Sequence, residues 1–237
     1  MTEPVKRSPH TSSRTYSSPR REAQKSETRR AIVRAAHDLF VANGYSRTTI
    51  ADIAREAGVS PETVYGTFGN KAALLHRTWD VTVGGDDEEV VFHERPEVLA
   101  IRNEPDLAMR IRLWATFSTA TQRRTSPFMR MVEAAADAER AAAEMLAEIG
   151  RQRLAGLTVM AQAAADTGQL AISVDECRDI AWATTDGAMW HRLVEQRGWS
   201  DAQFADWLAT IWTASFVRPS PVGDRRVTSP APSVTDG

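Results

Sequence analysis

The chain has one cysteine, Cys177, among 237 residues. It cannot form an intramolecular disulfide, so neither a stapled mini-fold nor an oxidising compartment is called for. Cys177 reads as a small buried residue on a helix, with a redox role as the alternative. Long apolar runs are missing as well. The longest uncharged apolar stretch, residues 154–165, falls short of the roughly 20 residues that cross a bilayer. The first 21 residues are rich in Ser, Thr, Pro and Arg and hold no apolar h-region, which predicts no signal peptide and a cytoplasmic protein. Enzyme signatures are absent: there is no glycine-rich phosphate loop, no G-x-S-x-G and no Cys/His cluster at metal-ligand spacing. The histidines, His10, His37, His76, His93 and His191, are scattered. His191 and Glu195 stand one helical turn apart, but two ligands make an incomplete metal site, and the pair reads as an i,i+4 contact. The acidic run 86–89 reads as a solvated loop rather than a cation site. No catalytic residue, metal or cofactor is therefore expected.

The most informative stretch is TTIADIAREAGVSPETVYGTFGNKAALL, residues 48–75. Thr49 followed by Asp52 forms a capping box ahead of apolar Ile50, Ile53, Ala54 and Ala57. Gly58 stops that helix, and Ser60 and Pro61 supply an N-cap and an N1 proline for the next. Val59 and Val64 take the positions of a hydrophobic staple, which fixes the angle of entry. The second helix ends near Phe68, and Asn70 caps a third that carries Lys71, Leu74 and Leu75. Upstream, Ile32, Ala35, Ala36, Leu39 and Phe40 fall on one helical stripe that Asn43 and Gly44 end. Two short helices joined by a tight turn, under a covering helix, make a helix-turn-helix whose second helix is offered to DNA.

Residues 31–75, AIVRAAHDLFVANGYSRTTIADIAREAGVSPETVYGTFGNKAALL, resemble the N-terminal domain of the TetR family of bacterial transcription regulators. The matching positions include Ala35, Ala36, Leu39, Phe40, Gly44, Thr49, Ile53, Ala54, Ala57, Gly58, Val59, Ser60, Thr63, Tyr65, Phe68, Lys71 and Leu74. By resemblance, Thr48, Tyr65, Thr67 and Lys71 meet phosphates, and Arg47 can join them; such contacts set register without reading sequence. Ser60 caps the recognition helix at this surface. Pro61, Glu62, Thr63 and Gly66 are the base-edge candidates: Thr63 can bond a base or touch a thymine methyl, and Glu62 can accept from cytosine N4. Gly66 and Ala51 depart from larger family residues, which shifts weight toward DNA shape and a basic arm.

Charge divides along the chain. Residues 1–75 carry +5 and residues 76–237 carry −7, giving the net −2. Only the motif-bearing part is basic, as a DNA-binding head on a body without a polyanion requires. Residues 1–21 and 218–237 are low in apolar content and broken by prolines, so both are expected to be disordered. The first of these, with Lys6, Arg7, Arg14, Arg20 and Arg21, is either a solvated arm or one that follows DNA phosphates or the minor groove.

Residues 22–75 are thus expected to form the DNA-binding domain and residues 76–217 a helical body. Helices are predicted from Asn70 to about Val83, between Pro96 and Pro105, from about Pro105 through Phe117, from Ser126-Pro127 along Phe128, Met131, Val132 and Ala135, and from about Glu139 to Ala165. Ser173 with Glu176 starts one from about Val174 to Arg197, and Ser200 starts the last, from about Asp201 to Val217. The fold class is all-α. The resemblance implies that the last two helices pair with those of a second copy as a four-helix bundle, making a homodimer; packing within one subunit only is the alternative. All seven tryptophans lie beyond residue 75. Trp114, Phe117, Phe128, Met131, Trp182, Met189 and Trp190 are candidates to line an effector cavity, with Asp186 orienting a polar group; a plain core is the competing reading. The expected function is a dimeric repressor that a small-molecule effector releases from a palindromic operator. The alternative is a DNA-bound architectural or scaffold protein whose body binds a protein partner.

Overall fold

The computed structural model describes residues 19–86 and 94–218, and these are helical throughout apart from one isolated bridge between Leu170 and Val217. Ten α-helices follow in order: α1 Pro19–Asn43, α2 Ile50–Glu56, α3 Pro61–Phe68, α4 Lys71–Gly84, α5 Pro96–Asn103, α6 Leu107–Ala136, α7 Arg140–Ala165, α8 Val174–Thr184, α9 Ala188–Trp190 and α10 Asp201–Phe216. A π-helical turn, His191–Gln196, continues α9. The arm residues Lys6, Arg7 and Arg14, residues 87–89 of the acidic run and the tail from 219 lie outside the described residues. No described helix is long and apolar enough to cross a membrane.

Two compact units emerge, one holding residues 19–86 and 127–146 and the other 94–126 and 147–218. In the first, α1, α2, α3 and α4 bury Ile32, Ala36, Phe40, Ile53, Val64, Leu74 and Leu75 almost completely. Each large aliphatic or aromatic side chain so buried contributes about 1.5–3 kcal/mol. Trp79 and His37 both lie against the Phe128 ring, with centroids 6.0 and 5.9 Å away. Helix α1 begins thirteen residues before Ile32, so Arg20 and Arg21 lie on a helix and not in the arm.

The second unit centres on Leu107, Ile111, Ala115, Ala161, Cys177, Ala181, Phe204, Leu208 and Trp212. Burial pushes the Cys177 thiol up to about 11, which leaves it protonated and inert at neutral pH. Arg110 ties the start of α6 to the end of α7 by donating to the carbonyls of Glu104 and Ala163. Gln169 adds a second tie, accepting from Leu107 N–H at 3.1 Å and donating to the Pro105 carbonyl at 2.9 Å.

Two expectations are corrected. No helix starts at Ser126-Pro127, because α6 runs through Pro127 for 30 residues. A proline inside a helix costs about 3 kcal/mol. Burial of Phe128, Met129, Met131 and Val132 immediately after it outweighs that cost. The helix expected from Val174 to Arg197 is interrupted after Thr184. Thr184 and Thr185 turn their hydroxyls back to the Ile180 and Ala181 carbonyls, Asp186 accepts from the Ala188 N–H at 2.9 Å, and Gly187 has φ +91°. Side chains that bond their own backbone and a left-handed glycine together end one helix and start another.

Candidate nucleic-acid interface

The turn between α2 and α3 is built from caps. Thr49 Oγ1 accepts from Asp52 N–H, and the Asp52 carboxylate accepts from Thr49 N–H, both at 3.1 Å. The Thr49 hydroxyl also donates to Asp52 at 2.6 Å, and Arg55 lies 2.7 Å away. These bonds, Thr49 first and Arg55 second, lower the Asp52 pKa to about 2. Gly58, at φ +67°, turns the chain so that Val59 N–H reaches the Ala54 carbonyl at 2.9 Å. Ser60 then accepts from Thr63 N–H at 3.3 Å with Pro61 in the first turn. Val64 is buried and seats α3 on the head. That anchoring leaves Glu62, Thr63, Tyr65, Gly66 and Thr67 exposed and Pro61 half-buried. Tyr65 is 52% exposed, the largest side chain on the outer face of α3. A Cβ at Gly66 would meet nothing within 4 Å, so the exposed side of α3 is open there.

The predicted residues divide by what already holds them. Thr63 shares a 3.2 Å contact with the Ser60 hydroxyl, and Thr67 donates to the Thr63 carbonyl at 2.7 Å, so both hydroxyls are oriented on α3 itself. Its own backbone N–H first, and the Ser60 hydroxyl second, hold the Glu62 carboxyl below its ordinary value, which keeps it an acceptor at neutral pH. Arg47 is exposed and donates from Nε to the Asn43 carbonyl at 2.7 Å. Thr48 is 1% exposed and gives its hydroxyl to the Leu39 and Gly44 carbonyls. Its place is to lock the loop into α1. Lys71 donates to the Tyr45 carbonyl at 2.6 Å and stands 4.0 Å from the Tyr45 ring centre. Burial lowers the Lys71 pKa and the nearby Glu139 carboxylate raises it. An ammonium has three donors, so one bond inward leaves others for a phosphate.

Arginines of α1 and α4 escaped the sequence reading. Arg29, Arg30 and Arg34 with Arg77 surround Val33 and Val81 in a groove of about 230 Å³, and the Arg29 guanidinium lies 5.9 Å from the Phe68 ring centre at the end of α3. The signal of the α1 residues was visible as Arg29, Arg30 and Arg34 around the start of the apolar stripe. It marks a basic flank on the same unit as α3.

The eight candidates for an effector cavity are divided between the two units. Phe128 and Met131 belong to the first unit, where both are buried. In the second unit Trp114 and Phe117 lie ring to ring at 5.6 Å, and Trp190 donates to Asp201 at 2.9 Å. Met189 packs on the core, and Asp186 is engaged as the acceptor for Ala188 N–H. Trp182 is 43% exposed, under the Arg153 guanidinium, and lines an open depression of about 600 Å³ with Gly150, Arg151, Leu154 and Asp179. No group of three or more His, Cys, Asp or Glu among the described residues could hold a metal.

A family model of bacterial regulatory proteins, tetR family, matches residues 32–78. Over 70 residues the chain is 41% identical to the HTH-type transcriptional regulator TtgR of Pseudomonas putida, a stretch that is 27% of this chain and 33% of that protein. The chain thus spans about a third of the length of this curated relative. Two solved structures share the fold over most of both chains. The transcriptional regulator FadR from Bacillus subtilis, in complex with stearoyl-CoA, has a TM-score of 0.62 at 17% identity, covering 78% of this chain and 98% of that one. NalD, the secondary repressor of the MexAB-OprM multidrug efflux pump in Pseudomonas aeruginosa, has a TM-score of 0.60 at 21% identity, covering 82% and 98%. The capped turn, the buried Val64 and the exposed face of α3 all lie within the residues, 32–78, that are similar to the tetR family of bacterial regulatory proteins, and the two solved structures share the fold.

Proposed function

We propose that the chain is a transcriptional repressor that binds an operator through α3 and leaves it when a small molecule occupies the body. The observation that carries this reading is the exposed row Glu62, Thr63, Tyr65, Gly66 and Thr67 on a helix held by a buried Val64 and a serine cap. A short rigid helix with small and polar side chains outward fits the major groove, where hydroxyls and carboxylates discriminate base edges. Residues 22–75 act as the DNA-binding domain and 76–217 as the effector and dimer domain. Phosphate contacts come from Tyr65, Thr67, Arg47 and Lys71.

One α3 reads a few base pairs, so affinity requires two chains with recognition helices about 34 Å apart. Dimerisation through the last helices is supported by their apolar surplus: Trp182 is exposed, and Trp199, Trp207 and Ile211 are half-buried. An effector that favours a different spacing of the heads lowers operator affinity, with a coupling of about 1–3 kcal/mol in systems of this kind. That the FadR structure holds stearoyl-CoA and a further neighbour is a SmeT–triclosan complex supports an effector in the body.

The test is selection of binding sites from a random duplex library. An enriched inverted repeat with half-sites about one helical turn apart is expected. No enriched sequence, with binding that disappears steeply with salt, would assign the head to non-specific DNA packaging instead.

A further inference from the structure

Helix α6 carries a row that joins one of the aromatic candidates, Trp114, to polar residues that the candidates did not include. Trp114, Ser118, Gln122 and Ser126 recur every fourth residue, which places them on one face over about 18 Å of helix. Ser118, Gln122 and Ser126 are 7%, 3% and 1% exposed. A polar stripe buried to this degree is unusual, since buried polar groups are ordinarily paired. Among the other buried polar groups of this unit, Thr119 and Thr125 give their hydroxyls to the Ala115 and Thr121 carbonyls, Trp190 donates to Asp201, and Trp212 donates to Thr184. Gln122 differs. Neither its amide oxygen nor its amide nitrogen has a partner among the described residues, and neither does the buried indole N–H of Trp114.

The far end of the row meets the interruption between α8 and α9. The Ser126 hydroxyl lies 3.4 Å from the Gly187 carbonyl, and a Cβ on Gly187 would come within 3.3 Å of the Ser126 Cβ. Gly187 is left-handed, and the π-helical turn His191–Gln196 begins four residues later. π-turns inside helices recur at functional sites. Gln122 lies one helical turn before Ser126, the residue that makes this contact with Gly187.

We propose that the Trp114–Ser118–Gln122 row, closed by the Thr185–Gly187 interruption, binds the effector, and that this effector is a neutral aromatic amide. The assignment rests on the regulator reading above and specifies its ligand. The class follows from the unpaired atoms. Gln122 offers an acceptor and a donor on one plane, which a carboxamide or lactam matches with its own N–H and C=O. The Trp114 N–H supplies a second donor, and its ring, beside Phe117, supplies an apolar wall. The row itself carries no ionisable group, the Asp186 carboxylate of the interruption accepts from the Ala188 N–H, and the adjacent Arg123 and Asp201 are paired with each other at 3.1 Å. A charged ligand would stay unneutralised there. Because the row ends on Gly187, occupancy bears directly on the backbone that precedes α10.

The test uses the full chain without DNA and two probes of like shape: benzanilide, which carries the amide, and trans-stilbene, which does not. Binding is read by tryptophan fluorescence, and thermal unfolding is measured with and without probe. Benzanilide is expected to bind at least tenfold tighter than stilbene. Gln122→Leu is expected to raise the melting temperature of the protein without probe, because it removes an unpaired buried amide, and to erase the preference for benzanilide. Trp114→Phe should weaken benzanilide by a smaller factor. Equal binding of the two probes, no binding of benzanilide, or a melting temperature lowered by Gln122→Leu would overturn the proposal. Failure of the regulator reading shows separately, as the absence of an enriched DNA sequence.

Discussion

The Lys71 ammonium donates to the Tyr45 backbone carbonyl at 2.6 Å while lying 4.0 Å from the centre of the same residue's ring. The first residue of α4 thereby fixes the loop that follows α1, and with it the platform on which α2 and α3 stand. A charge-assisted bond and a cation–π contact at a half-buried site are together worth about 1–3 kcal/mol.

Lys71→Met therefore loosens the head even without DNA. Hydrogen exchange of amides in α1 and α4 is expected to speed up by about 10-fold, the equivalent of roughly 1.4 kcal/mol. DNA binding weakens for every sequence alike, and the slope of affinity with salt falls by about 1 if the ammonium also meets a phosphate. An unchanged exchange pattern would remove Lys71 from the platform.

The helix-turn-helix has its own acid limit. The Asp52 pKa lies near 2 in the folded chain, below the ordinary 3.8. A carboxyl lowered by folding contributes stability above its unfolded pKa and loses it as pH falls toward the folded one. Wild-type protein is thus expected to lose part of the stability of α2 between about pH 4 and pH 2. Asp52→Asn lacks that pH-dependent part, so its unfolding profile is flatter across the same window. Circular dichroism during acid titration of both proteins checks this.

Ser60→Ala removes the N-cap of α3. The expected loss is about 1 kcal/mol of head stability. Affinity for the selected operator drops with it, because the Thr63 hydroxyl loses the Ser60 partner that orients it. Gly at the same position, which caps nearly as well as Thr, should restore most of the stability but not the Thr63 orientation. Urea titration and operator binding on both variants separate the two effects.

Gly187→Ala tests the interruption between α8 and α9. A side chain there must adopt φ +91° and approach Ser126 to 3.3 Å. Destabilisation of about 1–3 kcal/mol is expected, read as a lower melting temperature. Gly66→Ala is the contrasting case: its Cβ meets nothing on a helical residue, so stability rises by about 0.5–1 kcal/mol.

The head was legible because its signals are local. Thr49 with Asp52, Gly58, and Ser60 with Pro61 each decide the backbone within four residues, and the caps form at those positions. The body was legible only where the same held, as at Ser173 and Ser200. Pro127 reads locally as a helix start, yet the side chains around it are buried strongly enough to carry α6 through. The Thr-Thr-Asp-Gly run at residues 184–187 was a visible stop signal that a continuous apolar pattern on either side concealed. Thr48 fits a phosphate contact by position, but nothing in the sequence shows that its hydroxyl is needed by Leu39 and Gly44. Gln122 is likewise an ordinary polar residue until its burial is known.

The central claim is that the exposed side of α3 reads bases. It is tested most directly by selecting duplex sites in parallel with wild-type protein, Thr63→Ala and Tyr65→Ala. With Thr63→Ala, the enriched half-site should lose its preference at one or two adjacent positions. Tyr65→Ala should enrich the wild-type sequence with uniformly weaker binding. Identical enriched sequences and equal affinities for all three proteins would contradict the account.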